Sequence, residues 1–444
     1  MEKFQAEFSW NYRFDRELYK GLSREKTKAY TWFARTTWNP TNRIRLQQTS
    51  SYRILEVLDT AFYATGLQNS RVLNTNFQAT IAPKNQLVFA NLVYDVNSEQ
   101  LARQEIRFIE VNPGQGQYVW LDSLFNNDGI QDVAEFQLAN NPLIANFIRV
   151  IVPTRELFPT SKLSLNANLR WNLKGVIPQS EQKLKEFVRN IGAITHLRMS
   201  QNKARNTRIS SYFIDLTNPF ADSSLLNANY NLRQDITFFQ NHPRGDIRFS
   251  YFDSRSKLFL STGDEFRGIT YYSTNQRLNL NNERSIELEG KMGNKFVQAR
   301  QFDTRNYSID FWEIEPKINF QFNRKLRLSS GYGYSFRKNE DVTGEIDATI
   351  HSHKIIFDSK WNIKDRNNIF AKLELINLAQ EGEPGFSAGY ELREGLQPGF
   401  NAVWQAFLTI YLLQNLELSL TYDGRASVGN PVLHTGRVQI RAFF

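Results

Sequence analysis

Asp128, Gly129 and Glu135 stand at the spacing of a calcium-binding loop in the run Asn126-Asn127-Asp128-Gly129-Ile130-Gln131-Asp132-Val133-Ala134-Glu135. In such a loop, carboxylates precede a glycine that makes the sharp turn, and a later glutamate closes on the ion with both oxygens. Asp132 adds a further carboxylate between them. The first ligand position falls on Leu124, and Asp122 lies two residues too early. The same run also spells a plain Asn-Asp-Gly turn. The residues alone leave both accounts open, with calcium the one cofactor in question.

Other side chains with chemical potential are sparse. His351 and His353 sit two apart, hence on one face of a strand, with Asp347 and Thr349. A metal or an acid–base pair uses such histidines; a polar wall is the simpler account. His196, His242 and His434 complete the set, and none sits in a nucleophile motif. Arg244-Gly245-Asp246, after Pro243, reads as a turn. No glycine-rich phosphate loop leads from a strand into a helix, so nucleotide binding has no support. With no cysteine in the chain, a disulfide scaffold and thiolate zinc sites are excluded. The expectation is a protein without catalytic residues.

The elements that carry these residues are strands. Phe4, Ala6, Phe8, Trp10, Tyr12 and Phe14 alternate with Lys3, Gln5, Glu7, Ser9, Asn11 and Arg13. A face so aromatic suits lipid better than a compact core, which mixes in small and branched residues. At the other end Val438, Ile440, Ala442 and Phe444 alternate with Arg437, Gln439 and Arg441. Phe4, Phe8, Trp10, Tyr12, Phe14, Val438 and Ile440 are therefore expected to face lipid. Period-two runs recur at residues 163–173, 247–252, 286–292, 307–312, 326–336, 404–412 and 416–422, separated by polar, turn-rich stretches such as Gln380-Glu381-Gly382-Glu383-Pro384-Gly385. Residues 183–192 are the one stretch that suits a short helix.

Between about 51 and 160 the character changes, because both faces become partly apolar. Pro113-Gly114-Gln115-Gly116 between two apolar runs signals a hairpin. This organisation predicts first barrel strands over 1–50, a small β-rich extramembrane insert over 51–160, and the remaining barrel strands over 161–444. Some 14–16 strands follow from roughly 20–24 residues per strand and connection.

The bulk numbers agree. The 444 residues include 34 Phe, 18 Tyr and 8 Trp, enough for aromatic girdles. No run of about 18 apolar residues exists, so a helical membrane protein is excluded. Mean hydropathy is −0.49, which a barrel tolerates because alternate residues face a polar lumen. The net charge of +9 comes without a Lys/Arg block interleaved with stacking aromatics, so nucleic acid is not expected as a partner. Basic lumen walls or collars facing anionic headgroups account for it. Met1-Glu2-Lys3-Phe4-Gln5 lacks the apolar centre of a signal peptide. An exported chain would then be a mature form or a portion of something longer.

Three segments resemble uncharacterised large outer-membrane proteins of Bacteroidota. They are Gly114-Gln115-Gly116-Gln117-Tyr118-Val119-Trp120-Leu121-Asp122 with the following Asn127-Asp128-Gly129-Ile130-Gln131 and Glu135-Phe136; Phe147-Ile148-Arg149-Val150-Ile151-Val152-Pro153-Thr154; and Tyr422-Asp423-Gly424-Arg425 with the tail from His434 to Phe444. The resemblance implies an outer-membrane location and brings no known reaction. A final strand ending on Phe also resembles the last strand of bacterial outer-membrane barrels, where that residue, here Phe444, is a signal to the barrel-assembly machinery.

The chain is therefore expected to be an all-β, antiparallel transmembrane barrel of the bacterial outer membrane. Its expected function is that of a subunit or scaffold of an envelope complex, or of a transport channel. Its expected partners are outer-membrane lipid and lipopolysaccharide, the assembly machinery and other envelope proteins. The rivals are a secreted soluble β-sheet adhesin and an outer-membrane barrel hydrolase.

Overall fold

The computed structural model of the chain describes residues 3–19, 22–59, 62, 69–83, 87–139, 144–179, 181–204, 212–240, 242–261, 263–300, 305–340, 348–364, 367–413 and 415–443. Among these, the elements run β1 (Phe4–Tyr19), β2 (Leu22–Thr41), β3 (Ile44–Val57), β4 (Ser70–Ile81), β5 (Val88–Glu110), β6 (Tyr118–Trp120), β7 (Phe136–Leu138), β8 (Phe147–Asn172), α1 (Lys183–Arg189), β9 (Gly192–Ala204) and β10 (Leu225–Phe238). They continue as β11 (Gly245–Leu260), β12 (Gly263–Asn279), β13 (Arg284–Ala299), β14 (Tyr307–Gln321), β15 (Leu326–Asn339), β16 (Ala348–Lys364), β17 (Asn367–Glu381), α2 (Phe386–Arg393), β18 (Gly399–Leu413), β19 (Leu416–Ser427) and β20 (Leu433–Ala442). All the strands belong to one sheet. Among the described residues, the pairings followed below are antiparallel, and Leu260 of β11 bridges Gln104 of β5 in parallel.

The all-β expectation holds, and α1 lies where a short helix was expected. The strand number is higher than 14–16. The difference comes from residues 51–160, expected to form a small insert. β4, β5 and parts of β3 and β8 occupy that span, and β3, β4 and β5 pair in long registers that continue the meander. The short elements are confined to residues 111–146, where β6 pairs with β7 and touches β8. Both faces of β4 and β5 are partly apolar, which hid their continuity with the strands before them.

The chain divides into two compact units. The first holds Met1–Arg103, Pro153–Ile236 and Asp253–Phe259. Within it β1, β2 and β3 align Trp10 with Trp32 and Tyr52 in one row, and the Trp32 and Tyr52 rings stack 5.9 Å apart. β8 pairs with β9 from Thr160–Ala204 to Asn172–Gly192.

The second unit holds Gln104–Val152, Thr237–Phe252 and Leu260–Phe444. Its strands β12 to β20 pair in sequence order without interruption. Short connections follow β12, β14, β16 and β18, whereas longer ones follow β13, β15, β17 and β19. Antiparallel strands place these two kinds of connection at opposite ends. The sequence dictates the tight ones. Asn281 Oδ1 accepts the N–H groups of Glu283 and Arg284, and Asn323 Oδ1 those of Lys325 and Leu326, the Asx turns that asparagine favours. Pro316, which has no N–H, stands in the gap of the β14–β15 ladder between Ile314–Tyr334 and Lys317–Gly331, across which the register is unchanged.

Candidate functional site

Alternation divides the β12–β20 run into two chemically distinct faces. On one face Tyr272, Met292, Trp312, Phe336 and His351 fall in a single row across five strands. Tyr272, Met292 and Trp312 are exposed by 60%, 61% and 43%, values that bury no core and leave large apolar surface uncovered. Ile355, Phe357 and Trp361 share this face of β16 and are exposed too. Gly424 belongs to the same surface: the Trp404 indole lies over it, and a Cβ there would meet the ring.

The opposite face is polar and charged. Lys354 pairs with Glu315 at 2.9 Å and with Glu374 at 3.7 Å; Lys317 reaches Glu315 at 3.3 Å and Lys372 reaches Glu374 at 3.0 Å. Arg337, nearly buried, bridges Glu313 at 3.2 Å and Glu394 at 2.8 Å. Glu313, Glu315, Arg337, Lys354 and Glu394 line a cavity of about 210 Å³ together with Glu289 and Lys291. Towards the end bearing the longer connections, the same face turns apolar at Tyr307, Ile309, Ala348, Ile350, Ile376 and Leu378. There α2 covers it with Ala388 and Leu392. Arg337 also donates to the Leu392 carbonyl, Arg393 to Gln380, and Lys295 pairs with Glu391. The helix is thus fastened to the polar face beside the cavity.

The acidic loop lies in the 111–146 segment. A short 3₁₀ turn at Asp122–Leu124 turns the chain back, so that Asp122 Oδ1 and Oδ2 accept the N–H groups of Asp128 and Gly129 at 3.1 and 3.0 Å. One carboxylate oxygen from each of Asp122, Asp128 and Glu135 lies within 4.8 Å of the other two. Glu135 is buried, and its Oε2 accepts from Trp120 Nε1 at 2.7 Å and from the Asp132 N–H at 3.2 Å. Positive φ at Asn127 and Gly129, 52° and 74°, closes the turn.

The set expected from sequence was Asp128, Asp132 and Glu135. The structure keeps Asp128 and Glu135 and brings in Asp122 in place of Asp132, which instead caps the 3₁₀ turn Val133–Glu135. Counting residues against a standard loop passed over Asp122 because the extra two residues are absorbed by the 3₁₀ turn. Trp120 was missed altogether, since an indole carries no ligand signal of its own.

Phe4, Phe8, Trp10, Tyr12 and Phe14 of β1, and Val438 and Ile440 of β20, are all exposed. Phe444 and Asp347 lie outside the described residues. His351 and His353 do not form a polar wall: they stand among the aromatics, hydrogen bonded to Tyr334 and Tyr332 at 2.7 Å each. His434 pairs likewise with Tyr422 at 2.8 Å. Arg244-Gly245-Asp246 enters β11, where Asp246 pairs with Arg277 at 2.6 Å.

No family model matches the chain, and no curated protein does. Among solved structures, Pseudomonas aeruginosa OccK11 (OpdR) aligns with 10% identity over 99% of this chain and 94% of its own, at a TM-score of 0.36. The copper transporter OprC aligns with 9% identity over 95% of this chain and 64% of its own, at 0.37. The FrpB iron transporter from Neisseria meningitidis aligns with 11% identity over 96% and 65%, at 0.35. Likeness at this level carries no functional argument.

Proposed function

We propose that this chain crosses the bacterial outer membrane as β-strands and acts as a transport channel for small charged or polar solutes. The exposed aromatic face meets lipid, and the charged face lines the path, narrowed where α2 lies on it. The mechanism is passive diffusion past fixed charges, with no covalent chemistry.

The observation that carries this reading is the division of faces in β12–β20, apolar and exposed on one side, ion-paired on the other. Dimensions support it. From His351 to Trp361 on β16 the strand rises roughly 34 Å. At the ~40° tilt of membrane strands this gives about 26 Å of height, against an apolar band of ~25 Å. The alternation of short and long connections supports it as well, since outer-membrane strands are joined by short periplasmic turns and longer external loops. On that basis α2 and the 111–146 segment face outward. Lipid and lipopolysaccharide are then the partners of the apolar face.

Gel migration of the detergent-extracted protein, with and without boiling, tests the membrane half. A heat-dependent shift is expected. Recovery of a monodisperse protein in detergent-free buffer, without a shift, would overturn the reading in favour of a secreted β-sheet protein. Planar-bilayer conductance tests the channel half. Single-channel steps that grow when residues 386–393 are deleted are expected; a heat-shifting protein without conductance would leave a scaffold as the account.

A further inference from the structure

We propose that the loop between β6 and β7 is a calcium site in which Asp122, Asp128 and Glu135 supply the protein's carboxylate ligands. Oxygens on opposite sides of a calcium ion lie about 4.6–5.2 Å apart, since each stands 2.3–2.6 Å from the metal. The three carboxylates converge to within 4.8 Å, the span such an ion fills.

A second observation is independent of that convergence. Glu135 is only 1% exposed, and while its Oε2 has two donors, its buried Oε1 has no hydrogen-bond partner. An ionised carboxylate held in this way lacks compensation on one oxygen, a costly arrangement for a buried charge. A cation seated against Oε1 removes that deficit and offsets the repulsion among three acidic groups.

The loop is built to hold this geometry. The Asp122 carboxylate is fixed by two backbone N–H groups, Asp128 Oδ1 accepts from the Ile130 N–H at 2.7 Å, and Asn126 Nδ2 donates to Asp128 Oδ2 at 3.1 Å. Arg305 reaches the same turn and donates to the Val133 carbonyl at 2.7 Å, tying the loop to the connection after β13. Oxygen ligands on an open turn, with room for water on the exposed Asp128 side, suit calcium over the small, rigidly octahedral magnesium. Only the concentration the site must meet rests on the membrane reading: external modules of this kind bind at roughly 10⁻⁴–10⁻³ M.

Trp120 supplies the probe, because its indole is bonded to a ligand carboxylate. Terbium luminescence excited through tryptophan is measured on the full chain in detergent, then displaced with Ca²⁺ or Mg²⁺. The expected result is a saturable signal that Ca²⁺ displaces at about one-tenth the concentration of Mg²⁺ or less. It is lost in Trp120→Phe and weakened at least tenfold in Asp128→Asn, whose exposed position leaves folding intact. A signal that is absent, that survives Trp120→Phe, that is unchanged in Asp128→Asn, or that Mg²⁺ displaces equally overturns the proposal.

Discussion

Trp120 donates its indole N–H to Glu135 Oε2 at 2.7 Å, and the two residues come from facing chain segments, Trp120 from β6 and Glu135 from the turn that enters β7. The bond clamps a hairpin of only three residues a side, Tyr118–Leu138 to Trp120–Phe136. Behind it Phe108 stacks on Phe136 at 4.0 Å and Phe147 meets Phe136 edge-on at 5.0 Å. So short a ladder has little stability of its own. Trp120→Phe keeps the apolar ring and removes the donor, at a cost of about 1–3 kcal/mol for a carboxylate hydrogen bond lost in a buried setting. Amide hydrogen exchange across residues 118–138 is expected to accelerate, while exchange in β12–β20 is unchanged.

Among the described residues of the second unit, Arg149 and Glu265 form the most buried ion pair, with Nη2 3.0 and 2.8 Å from the two carboxylate oxygens and side-chain exposures of 16% and 4%. Removing one partner strands the other charge, which costs roughly 3–5 kcal/mol, whereas replacing both with apolar groups of similar volume is close to neutral. Arg149→Met is therefore expected to lower the denaturant midpoint markedly, and Arg149→Met with Glu265→Leu to recover most of the loss. A double variant no better than the single one would show that the pair does not act as a unit.

Much of this architecture was legible because strand side chains alternate with a period of two. The exposed row of β1 could be read directly from Phe4 to Phe14, since each aromatic is followed by a polar residue. The same logic failed at β4 and β5, where Leu92, Val93 and Tyr94 occupy successive positions and no polar face declares itself. α2 escaped notice because eight residues give barely two helical turns, and its cover, the apolar end of the polar face around Ile350 and Leu378, exists only once three strands are side by side. The ion ladder of Glu315, Lys354 and Glu374 was invisible for the same reason: its members come from β14, β16 and β17, and register alone makes them neighbours.

Between β9 and β10, outside the strands, Asp222 gives a handle on acid behaviour. Burial works to raise its pKa, but the Lys203 ammonium at 2.9 Å and the N–H and hydroxyl of Ser224 outweigh it and hold the carboxyl at about 2, below its ordinary 3.8. A depressed carboxyl stabilises the fold above its unfolded value, and that contribution disappears as pH falls through the folded one. Lys203 also donates to the Phe213 carbonyl at 2.8 Å, so the same ammonium anchors the connection. Proteolysis within residues 212–224 is expected to stay constant down to about pH 4 and to rise between about pH 4 and pH 2, read with an acid-active protease. Asp222→Asn is expected to be cut faster at neutral pH and to show little change over that acid interval.

Arginine substitution along β16 separates a lipid-facing surface from one that merely happens to be exposed. Ile355 and Phe357 stand midway between His351 and Trp361, the ends of the apolar face on that strand, and Ser352 points to the opposite, ion-paired face. A charge carried into the middle of a bilayer costs roughly 2–4 kcal/mol, and near its edge about 0–1. Phe357→Arg is expected to reduce unfolding free energy in lipid vesicles by the larger amount and His351→Arg by the smaller, although both positions lie on one strand and one face. In water no such depth profile exists, because an exposed arginine is well solvated at any height of a strand. Equal effects at the two positions would remove the membrane from the account of this face, while a graded loss that disappears when the vesicles are replaced by buffer and denaturant alone would assign it to lipid.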